Sequence, residues 1–299
     1  MAPSDRLAAG ARLIRQGRPA DALDTLRPAL AADRADVWYT AAVAWAALGD
    51  DARAEDALRR AVALAPGWAD AWCELGRALA ARGVRDEPEG CFRRAIAASP
   101  THLDARVRLA TALTGAGRLD EAGEHLAAGL RTAPNHPAVV AAAVHLLERR
   151  GHLTDAWALA ASAPEPEPRV AVAAASVGRA VGQADAALRR VDRALPHASP
   201  SERTLLLHAR GDLLDALDRP DEAFAAWTVA NEGRGLIFDP AQHLAAVDSL
   251  IARTRSLRWP SAALADSDRP VLIVGSRAPG PPCWSRPCPA TPGSAPPAS

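Results

Sequence analysis

Apolar side chains in the middle of the chain recur with the spacing of one helical face. Trp38, Ala41, Ala42 and Trp45 stand at i, i+3, i+4 and i+7, and Trp72, Leu75, Gly76 and Leu79 repeat the arrangement. Each run predicts a helix with one buried stripe. Gly49 or Gly83 follows, a residue that tolerates the left-handed backbone with which helices commonly end. A second amphipathic run comes next, such as ARAEDALRRAVAL at 52–64, and a proline stops it. The punctuation is periodic. Gly49, Gly83, Gly117 and Gly151 are 34 residues apart, as are Pro66, Pro100 and Pro134, and as are Ala54, Pro88, Ala122 and Ala156. Three independent ladders with one period predict a row of like helix pairs.

Small residues at two fixed places, Ala42 with Ala54 and Ala110 with Ala122, let paired helices approach, while Leu58, Phe92 and Leu126 fill the space between pairs. Over residues 35–136 this resembles the tetratricopeptide repeat, W-x2-LG-x2-Y…A-x3-F-x2-A…P, at nearly every position. The resemblance implies an all-α fold, a right-handed superhelix of helix-turn-helix repeats. Outward the match thins. Residues 3–34 give a first repeat, 137–168 a fifth, 169–200 a degenerate sixth, and Gly211, Leu214, Ala223, Trp227 and Ala230 mark a seventh, so that 3–237 is expected to be one solenoid. Pro164, Pro166 and Pro168 are expected to shorten a helix and leave a seam near 163–169. Pro88 stands where the other repeats place alanine; with Asp86 as cap it falls in a first helical turn, where no N–H is needed.

Composition narrows the classes of function. Basic and acidic residues balance at 35 each, every basic one being arginine, and no basic stripe stands out, which argues against a nucleic-acid partner. No apolar run approaches the roughly 20 residues of a membrane span, and the N-terminal MAPSDRLAAGARLIRQG lacks the apolar core of a signal peptide, so a cytoplasmic setting without membrane contact is expected. Cys73, Cys91, Cys283 and Cys288 form no C-x-x-C pair and have no histidine at zinc spacing. No metal or cofactor site is therefore expected. His145, His152, His208 and His243 are read as scattered, without partner carboxylates, and no Ser-His-Asp or paired-carboxylate motif can be argued.

Stacked repeats share a core and leave a concave surface lined by the first helix of each pair, a shape suited to a protein or peptide ligand. The resemblance implies that positions 2, 5, 9 and 12 of those helices face the groove. They are Asp36, Tyr39, Val43 and Ala46, then Asp70, Cys73, Arg77 and Ala80, then Asp104, Val107, Thr111 and Thr114. Chaperone-adaptor members of the family clamp a terminal carboxylate with Lys, Asn and Arg; here Arg77 and Arg108 are present but no Lys or Asn matches, which disfavours an adaptor of that kind. Trp38, Trp45, Trp68 and Trp72 read as core between repeats. The Arg59-Arg60, Arg93-Arg94, Arg149-Arg150 and Arg189-Arg190 doublets read as the polar outer face.

Beyond the repeats, Asp239 and Pro240 open a predicted helix, so that 238–257 is expected to cap the solenoid. Residues 258–275 follow as a linker and one short apolar strand, Val271 to Gly275. With Arg269 and Pro270, this segment is similar to the opening of the catalytic domain in bacterial TPR-sulfotransferases, R-P-[IV]-F/L-I-V-G-x-P-R-S-G-T-T-L, whose next loop binds 3′-phosphoadenylyl sulfate. The resemblance stops at Ser276, and the Pro-rich 276–299 is expected to be a disordered tail. Reading from Arg277 the third base of each codon with the first two of the next, permissible bases give R-S-G-T-T-L-L-E-Q-A-L. Trp284 after Cys283 forces a leucine in that frame. One base missing near the codons of Ser276 and Arg277 accounts for this. As written, the chain lacks the phosphate loop and is expected to be catalytically inactive, its orphan strand being either disordered or a sticky edge prone to self-association.

Overall fold

The computed structural model describes residues 3–84 and 87–232. Asp86, the expected 238–257 helix, the Val271–Gly275 strand and the tail lie outside the described residues. Among those described there are helices and no strands. Fourteen α-helices form seven antiparallel pairs: α1 Pro3–Arg15 with α2 Pro19–Leu30, α3 Ala35–Ala47 with α4 Asp51–Leu64, α5 Ala69–Ala81 with α6 Glu87–Ala98, α7 Leu103–Gly115 with α8 Leu119–Thr132, α9 Pro137–Arg149 with α10 Leu153–Ser162, α11 Pro168–Ala180 with α12 Ala184–Ala194, and α13 Pro200–Ala216 with α14 Pro220–Glu232. A 3-10 turn, Leu195–His197, follows α12. The chain divides into two compact units at Ala198/Ser199. The first contains α1–α12; the described part of the second is the α13/α14 pair.

One turn is used in every pair. After the first helix, Gly17, Gly49, Gly83, Gly117, Gly151 and Gly182 adopt φ between 72° and 79°. The next residue's N–H then reaches back to a carbonyl five residues earlier, as in Arg118 to Leu113 at 2.9 Å and His152 to Leu147 at 2.9 Å. In the seventh pair Asp218 takes the same left-handed conformation at φ 59°. A methyl on Gly117 would meet nothing within 4 Å. Gly117→Ala should therefore destabilise the chain by roughly 1–2 kcal/mol through the backbone alone, seen as a lower urea midpoint with unchanged helix content.

The core is built from a pairing 16 residues apart across six of the seven helix pairs; in α11/α12 Gly178 instead abuts Ala187. Gly10 abuts Leu26 and Gly76 abuts Phe92, a Cβ on Gly76 falling 2.6 Å from the ring. Ala42 with Leu58, and Ala110 with Leu126, are buried in the same clusters. Gly211 packs on Trp227. In the fifth pair the sizes exchange, Val144 on the first helix and Ala160 on the second being buried in one cluster. A large side chain opposite a small one keeps the combined volume of the layer nearly level, as close packing requires. Pro88 sits second in α6 and is buried, in the first turn where its missing donor costs nothing.

The arginine doublets are engaged with neighbouring repeats. Arg59 bridges Glu55 in its own helix and Glu87 of α6, at 3.0 and 2.9 Å. Arg93 repeats this between Glu89 and Glu121 of α8. Arg60 pairs with Asp33, and Arg94 lies 4.6 Å over the ring of Trp72. Arg150 donates to the Leu119 carbonyl and Asp120 at 2.8 and 2.9 Å. These links are largely exposed, each worth no more than about 1 kcal/mol, and they fix lateral register between pairs more than they add stability.

Arg190 differs, being only 4% exposed. Its guanidinium donates to Glu165 at 3.1 Å and to the carbonyls of Ala163 and Pro164 at 2.7 and 3.2 Å. Pro164 forces Ala163 into extended backbone, so α10 ends at Ser162 and the Pro-Glu-Pro stretch cannot satisfy its own carbonyls. The side chain from α12 does so instead. Burial pushes the guanidinium's pKa down from its ordinary value, Glu165 opposing the shift.

Candidate peptide-binding groove

Four of the five neighbouring pairs of first helices in the first unit touch, α1 with α3, α5 with α7, α7 with α9 and α9 with α11, and α3 with α5 does not to that extent. Two clefts open along the contiguous first helices α5, α7, α9 and α11. A cleft of about 780 Å³ is lined from α5 by Arg77 and Ala80, from the turn and α6 by Val84 and Phe92, and from α7 by Asp104, Val107, Arg108 and Thr111. Ala138 of α9 and Arg169 of α11 close it. A second cleft, about 660 Å³, continues past Arg169 along α9 and α11, with His145, Glu148, Arg149, Val172 and Ser176 on its walls. Since Arg169 lines both, the two are stretches of one groove. A smaller cleft of about 330 Å³ lies beside Val43, Glu74 and Arg77.

The residues singled out in the sequence fall into two groups. Arg77, Asp104, Val107, Arg108 and Thr111 are brought together in the large cleft. Arg77 is paired with Glu74 at 2.7 Å and Arg108 with Asp104 at 2.7 Å. The Thr111 hydroxyl donates to the Val107 carbonyl at 2.8 Å. Val43 is exposed in the small cleft. The others are occupied elsewhere. Asp36 accepts both nitrogens of the Arg34 fork, at 3.1 and 2.6 Å, and the Val37 N–H at 2.9 Å. Tyr39 packs against Trp68 with ring centroids 4.6 Å apart. Asp70 lies 3.1 Å from His102 Nε2 and accepts from Trp68 at 3.3 Å.

Cys73 is a correction. It is 2% exposed and does not reach the groove: at its position the α5 helix turns into the contact with α7, where the thiol donates to Asp104 at 3.2 Å. Two histidines are corrected as well, His145 Nδ1 lying 3.5 Å from Glu148 and His152 Nδ1 3.7 Å from Asp155, both one helical turn away. Glu148 also accepts from the Ser176 hydroxyl.

Burial pushes the Cys73 thiol up to about 12, with the Asp104 charge adding to it. Tyr39 is pushed up to about 12 by burial, then by Glu74 and Asp70. Burial alone would raise Asp104, but hydrogen bonds from Arg108 and Cys73 outweigh it and hold the carboxyl below its ordinary range. The raised groups have a testable consequence. Their protonated forms are favoured in the folded chain, so their contribution is fully present below the ordinary thiol value of 9.0 and is lost as pH rises toward 12. Urea midpoints should fall between pH 7 and about 10.5, and Cys73→Ser should flatten that fall.

The α9 and α11 side of the groove was missed, although a signal exists. One more step of 34 from Asp104, Val107, Thr111 and Thr114 gives Ala138, Ala141, His145 and Glu148. The next pair starts at Pro168, 31 residues after Pro137, and that shorter step gives Arg169, Val172 and Ser176. Six of these seven residues line the second cleft, and the remaining one, Ala138, lines the first. Among the described residues no cluster of three or more His, Cys, Asp or Glu could hold a metal ion, and no helix is long and apolar enough to cross a membrane.

Residues 91–144 match the tetratricopeptide repeat family. No curated protein sequence matches the chain. Among solved structures, a tetratricopeptide repeat protein from Parabacteroides merdae is 11% identical with a TM-score of 0.62, the match covering 85% of this chain and 98% of that one. PilF of Pseudomonas aeruginosa is 18% identical, TM-score 0.55, over 67% of this chain and 94% of its own. PilW, described as a widely conserved type IV pilus biogenesis factor, is 18% identical, TM-score 0.58, over 69% and 98%. At these identities the likeness is one of fold: the helix pairs are tetratricopeptide-type repeats.

Proposed function

We propose that this array of tetratricopeptide-type repeats is a scaffold that binds a protein or peptide segment along its first helices and performs no chemistry of its own. The observation that supports it is the continuity of the groove from α5 to α11, apolar along its floor and polar at its rim. A single pocket would suit a small molecule; a trough crossing four helices suits an extended or helical chain. The solved structures that share this fold include a pilus biogenesis factor. A photo-crosslinking side chain placed at the exposed Thr111 should capture a partner polypeptide, whereas one at Glu124 of α8 should not. Equal capture at both positions would sink the reading.

A second reading concerns the wider gene. The segment Arg269 to Gly275 supports descent from a TPR-sulfotransferase whose frame is broken after Ser276. Sequencing the DNA past that codon tests the idea. If the alternative frame encodes R-S-G-T-T-L, a restored chain should transfer label from 3′-phosphoadenylyl sulfate, and the chain as written should not.

A further inference from the structure

In four consecutive pairs the second helix meets the following pair through one fixed position, six residues after the left-handed turn residue. In α4 it is Glu55, which takes Arg82 from the end of α5. In α6 it is Glu89, bonded to Arg118 of the next turn at 2.8 and 3.0 Å. In α8 it is Gly123, where a Cβ would fall 2.9 Å from the Arg150 guanidinium, and in α10 it is Trp157, whose ring lies 2.9 Å from a Cβ built on Gly178 of α11. Counted from Asp218, the same position in α14 is Phe224. Its side chain is 71% exposed, the most of any large apolar side chain among the described residues. An aromatic ring thus stands where the array elsewhere seats its next member.

We infer that residues 240–257 dock on α14 as the first helix of an eighth pair, with the Arg253 guanidinium laid over the Phe224 ring and its fork turned to Asp221. Register selects this occupant. Pro240 opens the segment as Pro137, Pro168 and Pro200 open α9, α11 and α13. Counting onward from the proline sets Ala246, Val247 and Leu250 where α9 carries Ala143, Val144 and Leu147, all packed in the core. Three further residues bring Arg253 to the place of Arg150, which donates to Asp120 at 2.9 Å, three residues after the turn glycine. Asp221 is likewise three residues after Asp218. Charge and apolar surface are therefore complementary in one register, and a guanidinium over an aromatic face is a favourable pairing of the kind Arg94 makes with Trp72. Seven residues, 233–239, join Glu232 to the segment, where four, 65–68, suffice between α4 and α5. A second copy would compete with a tethered helix at an effective concentration of about 1 mM. Docking on α14 does not depend on what the groove of the first unit binds.

Hydrogen exchange of the full chain tests it. Amides of 243–252 should exchange at least about tenfold more slowly than in an unstructured chain. Phe224→Glu should remove that protection, and Arg253→Glu, which sets a carboxylate beside Asp221, should weaken it about tenfold. Ala225→Glu, on the exposed side of α14, should leave it unchanged. The α13 amides should stay protected in all three variants, which separates lost docking from an unfolded pair. To identify the copy, Phe224→Cys and Arg253→Cys are combined with Cys283→Ser and Cys288→Ser, and an equal mixture of isotope-labelled and unlabelled chains is treated with a short bismaleimide. Crosslinked peptides should come from one chain, both labelled or both unlabelled. Mixed pairs would replace the tethered segment with a second copy. Unprotected 243–252 amides in the wild type, or protection indifferent to both Phe224→Glu and Arg253→Glu, would overturn docking on this face.

Discussion

Replacing Phe92 with alanine should destabilise the chain by about 3–5 kcal/mol, and replacing it with leucine should cost less if Gly76 is changed to alanine at the same time. The ring is 3% exposed and lies against Gly76, where a Cβ would come within 2.6 Å. Gly76→Ala alone gains about 1 kcal/mol of helix propensity but must push the ring aside, a strain of about 1–3 kcal/mol. Phe92→Leu alone leaves a void of similar cost. Together the two recreate the alanine–leucine pair found at Ala42/Leu58 and Ala110/Leu126, so the double variant should return to within about 1 kcal/mol of wild type. Because repeat arrays need not unfold in one step, hydrogen exchange of the α5 and α6 amides is the cleaner measurement beside urea melts. Independent, additive losses would show that the pair is not the unit of packing.

Arg190→Met should cost roughly 2–4 kcal/mol, although its apolar volume is nearly kept. The change strands the Ala163 and Pro164 carbonyls and removes one partner of Glu165, which keeps Arg193 at 2.8 Å. Arg190→Lys should recover only part, since one ammonium cannot span three acceptors as a planar fork does. Glu165→Gln should cost under about 1 kcal/mol, that side chain being partly exposed. The readout is local: protease cutting within 163–168 should rise sharply for Met and slightly for Gln, and the exchange of α11 and α12 amides should rise with it. Unchanged cutting in the Met variant would mean the prolines alone hold the segment.

Much of the architecture could be read from spacing. Gly49, Gly83, Gly117 and Gly151 advertised the left-handed turns, because few other residues adopt φ near 79° without strain. The pairing 16 residues apart is half visible: the spacing marks Leu58, Phe92 and Leu126 as fillers, but what each fills depends on the opposite residue, which only the packed pair reveals. The groove was legible at Arg77, Asp104, Val107, Arg108 and Thr111, where the period is regular. It was lost at Cys73, because a small position on a first helix can turn into the neighbouring helix as readily as into open space. It was lost again beyond Pro137, where a step of 31 in place of 34 carries Arg169 and Ser176 to the positions the longer step would give to others. Arg190 left no periodic signal, since its role is to satisfy carbonyls that the prolines of a single linker expose.

The exchange of sizes at Val144 and Ala160 bears on how such an array can be rebuilt by recombination. A crossover within the turn near Gly151 would join the first half of one repeat to the second half of another, setting Val144 against a phenylalanine, or Gly76 against an alanine. One product is overfilled and the other hollow. A crossover between pairs, near Pro100 or Pro134, transfers both partners together and disturbs neither. Chimeras of this chain should therefore fold when spliced between pairs and fail when spliced inside one, which makes the two-helix unit, and not the single helix, the smallest piece that can be duplicated or traded.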